Sequence, residues 1–205
     1  MPASAKAARP GPGRPSSGAR ERLLAAGLEV LKADGYAGLT TAKVAARSGE
    51  NKALISYHFG SKQGLVAAVG REVGTSITTE VLDGLEGDES VKELVRNVVA
   101  ALWRVMDRDV RLARLYFDLA AVSVVEPGVR MVMREMKDAW RTVLAERLVA
   151  AADGPPPRRA DAGAVFVIAG LEGLMLERLD RGETSALDGA RKLFLTSADA
   201  VLARG

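Results

Sequence analysis

At 205 residues with 48% apolar content, the chain is long enough to bury a core without cross-links and falls outside disordered composition. It has no cysteine, which excludes disulfides, thiolate metal sites and thiol nucleophiles, and its one histidine, His58, cannot by itself make a zinc site or a histidine-based triad. The net charge of +3 is uneven: residues 1–70 carry ten Lys/Arg against four Asp/Glu (+6), and the remainder carries nineteen against twenty-two (−3). A basic first third suits a polyanionic partner, although charge alone fits a solvated surface equally well.

Residues 1–18 are Pro/Gly/Ser-rich and basic, with no apolar period, and read as a flexible arm. A first helix is expected from Ala19 to Asp34, with Leu23, Leu24, Leu28 and Leu31 on one face and Gly35 as its left-handed stop. Thr40 suits the N-cap of a short helix over Thr41–Ser48 that ends at Gly49. Asn51 caps another short helix ending near Phe59-Gly60, and Ser61 caps a longer one from Lys62 towards Leu82. Ser90-Val91-Lys92-Glu93 is a capping box opening a stripe of Val91, Leu94, Val95, Val98, Leu102 and Met106. A helix over Arg111–Val122 follows, and Pro127 suits the first turn of the next. That helix carries Val129, Val132, Met133, Met136, Trp140, Val143, Leu144 and Leu148. The run Gly154-Pro155-Pro156-Pro157 breaks it. Arg159–Arg181 is apolar around much of its circumference, and a last helix spans Ser185–Ala203. The expected class is all-α, about nine helices: a three-helix reading unit over 19–68 and a helical bundle over 69–205. With no apolar run of about eighteen residues and no apolar stretch behind the basic N-terminus, a cytoplasmic chain without a membrane span or signal peptide is expected.

The stretch from Thr40 to Lys62 has the physics of a helix-turn-helix. Val44 and Ala45 face inward, Gly49 permits the tight turn, and Ile55 with Phe59 can clamp the second helix. Lys52, Ala53, Leu54, Ser56, Tyr57 and His58 then face outward, where the polar ones can meet phosphates or base edges and the apolar ones a thymine methyl. The same spacing also fits a small packing unit without a ligand, and His58 reads as a packing or phosphate-binding residue.

Gly35-Tyr36, Thr40, Val44-Ala45, Gly49, Asn51-Lys52, Tyr57-His58-Phe59 and Ser61-Lys62 resemble the N-terminal domain of tetracycline-repressor (TetR) family regulators over roughly Arg20–Val69. The resemblance implies a homodimer that binds a palindromic double-stranded DNA operator and releases it when a small molecule binds, with repression the expected sense. It places Thr41, Tyr57, His58 and Lys62 at phosphate-contacting positions and Lys52, Ala53 and Leu54 where bases are read; Lys43 and Asn51 join this DNA-binding set. Glu50 stands where a small apolar residue is usual, so a more solvated turn is expected, and Ser56 stands where an aromatic is common. In the arm, Gly13-Arg14-Pro15 resembles the arginine wedge that enters narrow minor grooves, and a tail adding only electrostatic attraction is the alternative.

In the second half Trp103, Met106, Tyr116, Phe117, Met133, Trp140, Phe166 and Met175 supply large side chains that suit either a pocket for a small hydrophobic or amphipathic effector or a packed core. Arg104, Glu172 and Glu177 are candidate polar groups beside such a pocket. Gly170 and Gly173 lie three apart inside a helix, at about 1 kcal/mol each relative to alanine, which close approach of another backbone can offset. The segment is similar to the penultimate helix of TetR-family proteins, which implies a two-fold interface including Gly170, Gly173, Leu174 and Leu193; close packing within one chain is the alternative. No carboxylate pairs with a histidine or cysteine, and no phosphate-cradling loop follows a strand, so no catalytic residue, metal or cofactor is expected. A helical protein–protein module with a basic face remains the rival reading.

Overall fold

The computed structural model describes residues 18–83, 89–151 and 156–202, and nine α-helices and no strand lie among them. They are α1 (Ala19–Gly38), α2 (Thr41–Ser48), α3 (Ala53–Phe59), α4 (Lys62–Leu82), α5 (Val91–Arg108), α6 (Val110–Val122), α7 (Pro127–Ala150), α8 (Pro157–Arg181) and α9 (Ser185–Leu202). The arm, including Arg14, lies outside the described residues.

Local chemistry accounts for the helix starts. Thr40 accepts a hydrogen bond from the Lys43 N–H at 3.2 Å, Ser61 from the Gly64 N–H at 3.0 Å, and Ser90 and Glu93 satisfy each other's backbone in the capping box. Asn51 Oδ1 accepts from the Ala53 N–H at 2.8 Å, so the start of α3 is capped as its sequence implies. The largest difference from expectation is at α1. Gly35 adopts φ 67°, ψ −176°, which breaks the helix, but helical turns resume beyond it to Gly38. The freed N–H of Tyr36 is taken by Asp118 Oδ2 of α6 at 2.6 Å, a partner 82 residues away that no local pattern could announce.

Two hydrophobic clusters organise the packing. One is built from α1–α4 (Leu23, Val30, Leu31, Val44, Ile55, Leu65, Val69) and continues into Leu115, Tyr116 and Leu119 of α6 and Val129 and Met133 of α7. The other joins α5, α7, α8 and α9 through Leu94, Val98, Trp103, Leu148, Val167, Leu171, Leu187 and Leu202. The first four helices thus share an apolar core with the larger bundle. That matters for function, because a side-chain shift in α6 or α7 is felt directly by the N-terminal helices.

Candidate functional site

The α2–α3 pair is held from behind. Val44 and Ile55 have no solvent exposure, and Phe59 packs against the same cluster. Gly49 turns the chain between the helices at φ 71°, a conformation that costs a residue with a Cβ. The sharpest constraint lies beyond α3. A Cβ on Gly64 would stand 1.8 Å from the Phe59 carbonyl oxygen, so the end of α3 rests on the backbone of α4. Glu50 corrects the expected solvated turn: its side chain is only 13% exposed and pairs with Arg22 of α1, with Arg22 Nη2 at 2.6 Å and Nε at 2.8 Å. The pair ties the turn to α1.

Most of the residues expected to contact DNA are open to solvent on α2, on α3 and in the turn between them. Lys43, Asn51, Lys52, Ala53 and Ser56 are exposed, and Tyr57 is 71% exposed, an unusual position for a free aromatic ring. Thr41 is half-buried at the start of α2. Arg47, which the motif did not single out, is exposed in the last turn of α2, so residues 41–62 carry Lys43, Arg47, Lys52 and Lys62 against Glu50 alone. Three residues are less free than expected. Leu54 is half-buried and packs against the core behind α3. His58 is half-buried between Tyr57 and Phe59, ring centroids 4.9 and 6.2 Å away, and its Nε2 has no hydrogen-bond partner among the described residues. Lys62 donates to the Tyr36 carbonyl at 3.3 Å, with Nζ 4.6 Å from the centre of the Tyr36 ring. Lys43 pairs with Asp34 at 2.8 Å, but both are substantially exposed, so a phosphate can compete for the lysine at little cost.

The second candidate site is internal. Side chains of α4, α5, α6, α7 and α8 surround about 920 Å³ of atom-free space, counting its open part. Met106, Tyr116, Trp140 and Met175 line it, together with Ile77, Leu112, Ala113, Val143, Ile168 and Leu171, which the sequence did not mark. The other four residues expected at a pocket lie elsewhere. Trp103 is buried in the α5/α8/α9 core, donates to Glu183 at 3.0 Å and is flanked by the guanidiniums of Arg178 and Arg191. Phe117 and Met133 pack into the N-terminal cluster, and Phe166 lies 39% exposed on α8 against Phe194. Of the candidate polar groups, Arg104 and Glu177 face solvent and only Glu172 reaches the cavity. The Tyr116 hydroxyl donates to Glu172, and Lys137 Nζ lies 2.8 Å from the same Oε1. Burial, and then the neighbouring carboxylate, push the Tyr116 phenol far above its ordinary pKa, so it stays a neutral donor. On the α4 side the Trp140 indole N–H donates to Thr78 at 2.7 Å.

Helix α6 joins the two sites. One face gives Leu112, Ala113 and Tyr116 to the cavity, and the other holds α1 through Asp118 and the Tyr36 N–H. At its N-terminus Asp109 lies 3.0 Å from Lys32 of α1. Hydrogen bonding from Arg111, with Lys32 adding to it, holds the Asp109 carboxyl well below the usual range, so this link stays charged at neutral pH.

On α8, Gly170 and Leu174 serve the chain's own interior. A Cβ at Gly170 would meet the Phe194 ring of α9 at 2.2 Å, and Leu174 is buried in the core. Gly173 and Leu193 point the other way: nothing lies within 4 Å of a Cβ at Gly173, and Leu193 is 70% exposed.

Residues 23–69 match the family described as bacterial regulatory proteins, tetR family, and residues 91–203, more than half of the chain, match the BetI-type transcriptional repressor C-terminal domain. The chain belongs to the TetR family of transcriptional regulators. This TetR-family chain is 26% identical over 122 residues to the HTH-type transcriptional regulator BetI 1 of Chromohalobacter salexigens. That match spans 59% of this chain and 60% of the relative, less than two thirds of its length. The fold is shared with a transcriptional regulator from Rhodococcus sp. Rha1, at 20% identity and TM-score 0.76 over 91% of this chain and 98% of that one. It is shared also with the multidrug binding protein EbrR complexed with ethidium, at 22% identity and TM-score 0.70 over 88% and 98%. The helix-turn-helix of this TetR-family regulator is therefore α2–α3, with α3 as its second helix. No helix among the described residues is long and apolar enough to cross a membrane.

Proposed function

We propose that this regulator is a cytoplasmic, non-enzymatic repressor that binds a palindromic operator as a homodimer and lets go when a small hydrophobic or amphipathic effector enters the α4–α8 cavity. The division of labour follows the sequence reading, with 19–68 reading DNA, 69–205 sensing and pairing, and the arm with Arg14 adding minor-groove or electrostatic contact. The observation that carries the DNA reading is the exposed basic face of α2–α3 above a fully buried clamp of Val44 and Ile55. Two such helices, about 34 Å apart in a dimer, suit successive major grooves on one side of a duplex. Repression is supported by the description of the C-terminal match, and release by a ligand by the drug-bound relative of the same fold.

Selection of bound fragments from random duplex DNA tests the DNA reading. The expected result is one inverted repeat, bound with a steep dependence on salt. Within that site Tyr57→Phe weakens binding to all sequences alike, whereas Lys52→Ala costs about 1–3 kcal/mol against the preferred half-site and relaxes the choice of base there. Equal affinity for every duplex at low salt would leave the rival module as the better account.

Release requires that the effector bind one arrangement of the helices better than the other. The Asp118–Tyr36 bond and the Lys62–Tyr36 contact place one residue between the cavity helix α6 and the N-terminus of α4. Asp118→Asn replaces the carboxylate acceptor with a weaker one at the same place. The expected outcome is an unchanged affinity for effector in the absence of DNA, and a fall of about fivefold or more in the factor by which effector weakens operator binding. Effector titrations with and without the operator duplex measure both.

A further inference from the structure

We infer that the cavity takes an uncharged, hydrocarbon-like effector, one that buries no hydrogen-bonding group against the wall. This rests on the reading of the cavity as the effector site and narrows the effector's chemistry from amphipathic to wholly apolar.

Thr78, Tyr116, Trp140, Arg147 and Glu172 are the lining residues with polar side-chain atoms, yet the wall presents almost no polar surface. Internal bonding accounts for much of this. The Trp140 indole N–H donates to Thr78, and the Thr78 hydroxyl in turn donates to the Gly74 carbonyl at 2.8 Å. The Tyr116 hydroxyl donates to Glu172. Lys137, which is not part of the wall, lies 2.8 Å from the same carboxylate oxygen and matches its charge. Arg147 and Glu172 border the space with their methylene stems rather than their charged ends.

A ligand group that enters such a wall leaves its water and receives no hydrogen bond in exchange. An unpartnered hydroxyl is disfavoured there, and a carboxylate or an ammonium far more so. A hydrophobic cation finds the carboxylate of Glu172 already matched by Lys137. An apolar body, by contrast, gains wherever it touches the wall, because its surface leaves water. Tyr116 and Trp140, with ring centroids 5.7 Å apart, offer it aromatic contact, and Met106 and Met175 can re-pack around its shape.

The test is calorimetric titration of the full chain with propylbenzene, phenylpropanol, phenylpropionate and phenylpropylammonium, which share one body and differ in the group at the end of its chain. Propylbenzene should bind the parent tightest. Phenylpropanol should be weaker by about 5- to 100-fold, the range for a hydroxyl buried without a partner, and the two charged members weaker still. Ala113→Leu and Val143→Phe take up cavity space from α6 and from α7, so a failure to fold in one leaves the other to be read. Either should weaken propylbenzene by about tenfold or more. Phenylpropanol or a charged member binding the parent as tightly as propylbenzene, and weakened by the same fillings, would overturn the apolar assignment while leaving the cavity as the site. Propylbenzene binding unaltered by both fillings, or no binding of any of the four to the parent, would overturn the cavity reading itself.

Discussion

Replacing Gly64 with alanine is expected to destabilise the protein by about 3 kcal/mol, at the upper end for overpacking, and to remove specific DNA binding even where the variant is still folded. The added Cβ would stand 1.8 Å from the Phe59 carbonyl oxygen, and the obstacle is backbone rather than the end of a flexible side chain. Relief therefore needs the last turn of α3 to move as a unit. Its other attachments oppose this, since Ile55 is fully buried, Phe59 is packed, and the Gly60 N–H is bonded to Ser56 O at 3.0 Å. If α3 moves, Lys52 and Tyr57 move with it, and base contacts do not survive displacements of an ångström. Ser61→Ala gives the scale: it deletes the cap to the Gly64 N–H and should cost about 1 kcal/mol with little change in operator affinity. Urea denaturation of the two variants, followed by operator titration under conditions where both are folded, separates the effects. Equal midpoints for Gly64→Ala and the parent would mean that α3 and α4 do not cross this closely in solution.

What the sequence carried, and what it withheld, divides along the range of the interactions. Helix starts were legible because Thr40, Ser61 and Ser90 cap within three residues of themselves. The helical break at Gly35 was legible too, but not the turns that resume after it, where the Tyr36 N–H donates to Asp118 on α6. In the DNA-facing set, period alone put Leu54 and His58 outside, yet a seven-residue helix lying across α4 buries a wider arc than two clamp positions suggest. The cavity was half legible for a specific reason. Large adaptable side chains are the signal a sequence offers for a pocket, and Met106, Tyr116, Trp140 and Met175 line this one. A cavity also exists where side chains are too short to meet, and Ala113, Thr78 and Val143 carry no signature of that kind until the helices are assembled. Trp103 shows the converse: a large aromatic flanked by two arginines fills space rather than bounding it.

The last expected result concerns the α8–α9 face. Val165, Leu176, Leu193 and Val201 are 48%, 53%, 70% and 48% exposed, and Ala162, Ala169 and Gly173 lie between them on the outer side of α8. An apolar stripe of this kind, with an open glycine in the middle, is costly to leave in water and suits the two-fold approach of a second copy. Leu176→Glu combined with Leu193→Glu places two carboxylates on each side of that contact, so the interface would oppose four like charges in a desolvated centre. Both positions are exposed within the chain, so the fold of each subunit should be unaffected and its far-ultraviolet circular dichroism unchanged. Sedimentation at micromolar concentration should then give the monomer mass. A dimer reaches its second half-site at a high local concentration set by the first, and a monomer loses that advantage, so affinity for the inverted repeat should fall by about 10²–10⁴-fold. Affinity for a single half-site should stay the same, which distinguishes loss of pairing from damage to α3. A double variant that sediments as the parent does would place the contact between subunits on another face, and the 34 Å spacing of the reading helices would then have to come from a different pair of helices.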